Sequence, residues 1–363
     1  MGDGPDLYGS SAPVFTVDGA RQPGLALDLL RLEVSEDTTG MKRLAARFTA
    51  WGPAPGGSDE GERYLDGAIL DFGKSFEVSI GPASAARTIF KGAISAIEAD
   101  YREGAEPQLL VCAEDALMKL RWAHRCKTYE DSSDADIVRS IAGEHGLRAA
   151  ADAPGPTHAV VQQWNQSDLA FLRERARLLQ AELWLEDETL HFKSRGQRQA
   201  TALTLVNGNQ LVSLQARADL AHQRSEIHIG GYDVAARDAI DASASADVVR
   251  GEAGRGRLGG DVLGQAFADY SSHRLREVPL AGDAASAWAE AEMLRRARGF
   301  VRVKGVTSGS PDMVVGSKLT LERVAAPFSG GDYHVTRLSH SYDLTHGHRT
   351  AFEAERPNLG PAA

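Results

Sequence analysis

QQWNQSDLAFLRERARLLQAELWLEDETLHF, residues 162–192, changes its hydrophobic period once, and that change sets the fold expectation. Ser167 is placed to N-cap a helix by accepting a first-turn backbone N–H. Asp168 then puts negative charge at the positive end of the helix dipole. Leu169, Leu172, Ala176 and Leu179 follow at helical spacing on one face, while Arg173, Glu174, Arg175 and Arg177 fall mostly elsewhere on the surface. Past Gln180 the period becomes two. Leu183 and Leu185 alternate with Glu182, Trp184 and Glu186; Leu190 and Phe192 alternate with Thr189 and His191; Asp187-Glu188 supplies a polar turn between them. The spacing predicts a capped helix followed by a hairpin, the packing unit of an α+β domain.

Strand patterns lie on both sides. Upstream, Leu30, Leu32 and Val34 alternate with Arg31, Glu33 and Ser35, and Leu44, Ala46 and Phe48 alternate with polar or small neighbours. Phe76-Val78-Ile80, TIFKGAISAIEA (88–99) and QLLVCAED (108–115) continue the series, which suggests a sandwich or small barrel. PAPGGSDEGE (53–62) reads as a loop and residues 1–13 as a loose Gly/Ser/Pro-rich arm. From Asp115 the character shifts. ALMKLRW (116–122) predicts a short helix, and Ser133 caps a second one, DADIVRSIAGEH, which Gly146 stops. Downstream, LTLV, LVSLQARADL (211–220) and SEIHIGGYD (225–233) read as strands, with Gly230-Gly231 marking a bulge or close approach. Residues 235–283 look irregular. A helix over 284–299, capped by Asp283 and stopped by Gly299, presents Ala284, Ala287, Ala291 and Leu294 as a thin face. Strands return at 300–307, 317–324, 333–343 and 348–356.

Composition narrows the function classes. The 363 residues carry 50 acids and 40 bases, a net charge of −10, which argues against nucleic acid as the main partner because a polyanion needs a basic face. At 42% hydrophobic and 25% charged the chain is ordinary globular material. Two cysteines, Cys112 and Cys126, are too few for a disulfide scaffold; a bridge between them is open, and Cys112 in LLVCA reads as a small buried hydrophobe. No run reaches membrane-spanning length, and the N-terminus lacks the basic and apolar regions of a signal peptide, so folding in the cytoplasm is expected.

Each chemical motif has a structural reading that outweighs it. Gly254-Arg-Gly256-Arg-Leu-Gly259 spells GxGxxG, but no strand feeds it and no good helical period follows, so a flexible loop is expected. His334, His340, His346 and His348 are the densest histidine group, without HExxH spacing; a hairpin bearing surface histidines is expected over a loop metal site. Glu182 and Glu186 share a strand face, and a glycosidase pair needs carboxyls roughly 5–10 Å apart across a cleft. Both stand opposite Leu183 and Leu185, however, as a solvated strand face would. GxSxG, P-loop and Cys/His nucleophile patterns are absent, and Asn165-Gln166-Ser167 is a sequon by spelling only. No catalytic, cofactor-binding or metal residue is assigned, and an enzyme is not expected.

The succession AEDALMKL, KTYEDSSDADIVRSIAGEHGL and VVQQWNQSDLAFLRERARLLQAELWLEDETLHF resembles the phage late control protein D family. This is the baseplate-hub family of contractile tails, related to the hub part of the type VI secretion protein VgrG. Gln163, Asn165, Ser167, Asp168, Phe171 and Leu172 are the most specific piece. LVSLQARADLAHQRSEIHIGGYD resembles the opening of the family's second β module. The segment from Gly309 to Pro357 resembles its closing strands, with Gly309, Pro311, Gly316, Gly331, Asp332, Tyr333, Val335, Thr336, His340 and Thr350 in place.

The resemblance implies a mostly β, α+β fold. Two tube-forming β-barrel domains, 14–115 and 201–357, would flank an α+β insert at 116–200, with an insertion at about 235–299 and a tail at 358–363. It also implies a homotrimeric ring adapting a six-fold inner tail-tube protein to a three-fold spike, with baseplate wedge proteins as further partners. Neither cofactor, membrane nor sequence-specific nucleic acid is implied. VgrG-type chains continue into an oligonucleotide-binding-like domain and a β-helical spike, whereas this sequence stops at Ala363. The spike is therefore expected on a separate polypeptide, in a phage tail or phage-derived injection particle assembled in the bacterial cytoplasm. The 53–62 loop and the 244–270 segment have no assigned counterpart. The rival readings are a peptidoglycan-hydrolysing tail component using Glu182 and Glu186, and an adaptor binding an effector or cargo through its acidic surface.

Overall fold

The computed structural model describes residues 12–53, 60–81, 86–198, 200–234, 236–254, 256–274 and 281–360. Most of the loose arm and the end of the tail lie outside them, as do the middle of the 53–62 loop and residues 275–280. Among the described residues no helix is long and apolar enough to cross a membrane.

A 13-stranded sheet runs through the molecule. Its path joins 211–218, 301–307, 347–356, 330–343, 29–37, 43–49, 108–114, 87–100, 75–80, 14–17 and 20–21; strands 202–206 and 318–322 attach beside 330–343. Neighbours are antiparallel except 202–206 with 318–322. The alternation expected upstream is realised: Leu32, Val34, Leu44, Ala46, Phe48, Phe76, Val78 and Ile80 all point into one core. The strand Gly330–Asp343 is the hinge of the topology. A register shift between Val335 and Arg337 divides it. Its first part pairs with 318–322, and from Arg337 onward it pairs with the 29–37 strand, Arg337 facing Asp37 and Asp343 facing Arg31. One strand thus belongs to both halves of the sheet, a bulge re-aiming it between them.

Four hydrophobic clusters fill the chain: one within 15–113, one centred on 117–192, one within 203–354 and one within 227–297. The second holds apolar side chains of 162–192, where the hydrophobic period changes. Ser133 caps the helix Asp134–Glu144 through a reciprocal box with Asp136, a contact worth about 1 kcal/mol. Ser167 accepts from the Ala170 N–H at the start of the helix Asp168–Leu179. The hairpin 181–186/189–194 turns on Asp187 and Glu188, whose φ values of 44° and 63° match the twist that two-residue hairpins prefer. ALMKLRW forms a 3-10 turn, Ala116–Arg121, rather than an α-helix.

Several expectations change. The buried side of helix 168–179 is Leu169, Phe171, Leu172, Arg175, Ala176 and Leu178, so Arg175 points inward instead of into solvent. The described residues between 236 and 274 are not irregular. Asp238–Ser245 and Ser271–Arg274 flank Glu226–Asp233 in a three-stranded sheet, Gly230 and Gly231 pair there without a bulge, and helix Gly282–Arg298 covers one face. That helix begins before Asp283, with Ala281 at its N-cap. It packs through Ala285, Ala289, Met293 and Ala297, and of the expected stripe Ala284 and Ala291 are buried and Leu294 rests against the same cluster. The flanks of the 53–62 loop pair as Trp51–Pro53 with Glu60–Glu62.

Candidate functional site where the cores meet

The most specific sequence core builds local structure before anything else. Strand Thr157–Ser167 pairs with His124–Ser133, Lys127 facing Gln163 and Arg125 facing Gln166. Trp164 and Asn165 therefore stand opposite the single residue Cys126, a bulge, and Asn165 takes the left-handed φ of 45° that its short polar side chain tolerates. Gln163, fully buried, donates through Nε2 to Asp168 Oδ1 at 2.9 Å and to the Gln166 carbonyl at 3.0 Å. The other Asp168 oxygen meets His145 Nε2 at 2.7 Å and Arg125 Nε at 3.3 Å. Phe171 stacks on Tyr129. Gln163, Asn165, Ser167 and Asp168 are thus a bulge, a cap and a polar lock. Nearby, Arg175 pairs with buried Asp134 and lies 2.8 Å from His158 Nε2. Burial alone would raise the Asp134 carboxyl, but the bonds from His158 and Arg175 outweigh it and hold it low.

Glu182 is where the structure departs furthest from expectation. It is not on a solvated face: only 4% of it is exposed. Its strand is buried on both sides at its start, because the Glu182–Trp184 face packs against the second half of the sheet. Oε1 accepts from His334 Nε2 at 2.9 Å and from Arg195 Nε at 3.3 Å; Oε2 accepts from Arg198 Nη1 at 3.2 Å. Arg198 reaches on to Glu36 Oε1 at 2.8 Å, and Arg195 to Glu355 Oε1 at 2.8 Å. Lys42 stands 3.6 Å from Glu36. The Arg198 guanidinium lies over the Trp184 ring at 4.4 Å, and Trp184 stacks on His191. One network therefore ties strand 29–37, the hairpin, the linker after it and strands 330–343 and 347–356.

The electrostatics follow from that packing. Burial alone would raise the Glu182 carboxyl, but the hydrogen bond from His334 and the charges of Arg195 and Arg198 bring it down to about 2. Burial also keeps His334 below the usual histidine range, the Glu182 bond pulling the other way, so its Nε2–H donates as a neutral imidazole. An ionised, fully bonded carboxylate is a poor proton donor, whereas a glycosidase acid needs a raised pKa. Glu186, at the exposed end of the strand, lies 3.9 Å from His191 Nε2 and does not meet Arg195 or Arg198. The sequence-matched pair is therefore split between a buried junction and the surface.

The histidines are corrected in the same way. His334, His340 and His348 are buried and only His346 is a surface residue. His340 Nδ1 meets Thr350 Oγ1 at 3.0 Å and His348 Nε2 at 3.3 Å. His340 faces Val34 on one neighbouring strand and Thr350 on the other, so it sits in the core-facing row that crosses from one half of the sheet to the other. Among the described residues no three His, Cys, Asp or Glu side chains are placed to hold a metal. Cys112 and Cys126 are both free, and burial pushes the Cys112 thiol up.

The GxGxxG run also differs from the flexible loop expected. Arg257-Leu258 pairs with Asn358-Leu359, and a helix, Gly259–Ala266, follows directly. A side chain on Gly256 would meet Asn358 at 2.6 Å, and one on Gly259 would meet Phe300 at 2.7 Å, so these glycines permit close packing. Sequence reasoning missed Glu36, Arg195, Arg198 and Glu355. The one available signal was the Arg195-x-x-Arg198 spacing just after the hairpin.

Comparison with known proteins places this geometry. The family model described as Alg8 N-terminal domain matches residues 64–343. No curated protein matches the sequence. The fold is similar to that of the 43 kDa tail protein of prophage MuSo2 from Shewanella oneidensis, at 11% identity and a TM-score of 0.69, covering 96% of this chain and 99% of that one. A tail protein from Neisseria meningitidis matches at 12% identity and a TM-score of 0.67, over 95% and 96%. An Escherichia coli component of the type VI secretion system, described as structurally similar to bacteriophage T4 tail proteins, matches at 15% identity and a TM-score of 0.55, over 92% of this chain and 76% of that one. The fold is that of phage tail proteins.

Proposed function

The chain belongs to the Alg8 N-terminal domain family, and on its tail-protein fold we propose that it is a structural subunit of the baseplate hub of a contractile phage tail or related injection particle. Within that class its sequence resembles late control protein D. Three copies form a ring, each contributing two tube-forming β domains, between an inner tube and a spike.

The observation that carries this reading is the single sheet running through both halves of the molecule. Strand 330–343 hydrogen-bonds to each half, so a load applied to one passes to the other through backbone bonds and the Glu182 network. The sheet also ends in open edges. Among the described residues strand Leu211–Ala218 pairs with another strand on one side only, apart from a single bridge between Leu211 and Asn207, and its Val212 is 55% exposed. Unpaired edges are liabilities that a closed ring of copies removes, and head-to-tail contacts that close make such rings. The hydrolase reading loses support because Glu182 is an ionised, bonded carboxylate.

Sedimentation of particles from producing cells tests the proposal. The chain is expected in the assembled-particle fraction, and particles lacking it are expected to have no baseplate. Complete particles assembled without the chain would contradict the reading.

A further inference from the structure

A cleft of about 170 Å³ opens where the helix Asp168–Leu179 and its hairpin meet the end of helix Gly282–Arg298 and the turn at Thr38-Thr39. Arg173, Arg195 and Arg298 line it, with Gln180, Thr39 and the edge of Glu182. At roughly 30 Å³ per water it holds several solvent molecules, enough room for one tetrahedral anion.

The charges in it do not cancel locally. Glu182 is met by Arg195, Arg198 and His334. Arg298 is paired with Glu252, and Arg195 reaches Glu355 as well. Arg173 differs. Its Nε donates to the Thr39 carbonyl at 2.9 Å, and among the described residues it makes no ion pair with a carboxylate. The guanidinium is nevertheless half-buried, with Asp37 and Asp115 acting on it at longer range and Arg43 and Arg121 adding positive field. A half-buried guanidinium held by one carbonyl keeps donors that a bidentate oxyanion satisfies, and the planar fork selects oxygen pairs over a spherical halide.

We propose that this cleft binds a small oxyanion of the phosphate class, held by Arg173 with Arg195 and Arg298 completing its positive wall. The anion sits between the helix Asp168–Leu179, the Thr38-Thr39 turn and the end of helix Gly282–Arg298, so its occupancy braces the insert against both neighbours. The assignment is independent of the hub reading.

Calorimetric titration of the purified full chain tests it, using inorganic phosphate in one arm and adenosine monophosphate in another, against sodium chloride of equal ionic strength. Saturable phosphate binding is expected, with no matching chloride response. Tighter binding of the nucleotide supports the site and identifies a phosphate ester as its natural form; equal binding supports a free oxyanion. Arg173→Gln is expected to weaken binding about tenfold, the loss of roughly one charge-assisted contact. Arg173→Lys, which keeps the charge without the fork, is expected to fall between and covers the case in which the glutamine variant misfolds. Absence of saturable binding by the unaltered chain, or unchanged affinity in both variants, overturns the proposal.

Discussion

Replacing Glu182 with alanine is expected to lower the unfolding free energy by about 3–5 kcal/mol, the range for removing one partner of a buried ion pair. The reason is asymmetry. Charges taken out of water lose hydration, and their mutual attraction roughly offsets that loss only while every partner is present. Without Glu182, Arg195 and Arg198 stay buried with Glu355 and Glu36 alone, and His334 loses its acceptor. Glu182→Gln is expected to fall between, since it keeps an acceptor for His334 and removes the charge. Glu186→Ala, at the exposed end of the same strand, is expected to change stability by no more than about 0.5 kcal/mol. Urea midpoints for the three variants check this, and equal midpoints for Glu182→Ala and Glu186→Ala would contradict the buried network. The same variants examine the hydrolase rival: zymography is expected to show no cell-wall cleavage by the unaltered chain, and cleavage lost in Glu182→Gln would favour the rival.

Mild acid is expected to destabilise the fold through the seam between the halves. Burial holds His340 down at about 3 and His348 at about 4, against an ordinary value of 6.5. Around His340 stand His348, Thr350 and, at longer range, Lys42; Arg349 lies near His348, and only a backbone bond at Met313 favours protonation of His340, too weakly to offset its burial. Because the folded values are depressed, stability is full above 6.5 and falls as the unfolded chain takes up protons the folded chain refuses. At about 1.4 kcal/mol per unit, each histidine loses about 2 kcal/mol by pH 5. Asp115 acts in the opposite sense. Burial raises it to about 6, so below that value the folded state gains protons first and recovers roughly 1.4 kcal/mol by pH 5. Glu182, held at about 2, loses its contribution only below its ordinary 4.5. The histidines win, leaving a net loss of about 2–3 kcal/mol between pH 7 and 5. Chemical denaturation at both values checks it, with a smaller drop expected in His348→Gln. A midpoint that rises at pH 5 would contradict the assignment.

What was legible in the sequence was local. Ser133 and Ser167 announced their helices because a cap followed by apolar periodicity is a short-range signal. Leu183, Leu185, Leu190 and Phe192 announced the hairpin for the same reason. The errors came where burial is decided by distant chain. Alternation placed Glu182 opposite leucines, hence in solvent, yet both faces of its strand are covered. Arg175 fell off the apolar stripe and was buried anyway, by a carboxylate 41 residues away in sequence. His340 and His348 looked like hairpin surface because nothing nearby reveals that strand 29–37 lies alongside. Residues 235–283 carried small and polar residues whose strands are held by neighbours and by a helix further on, so no period was visible.

Native mass measurement of the purified full chain, alone and with tube and spike proteins added, tests the proposed ring of three copies most directly. A mass of three chains is predicted, in either condition. A species that stays at the mass of one chain, about 38.9 kDa, under both conditions would contradict it.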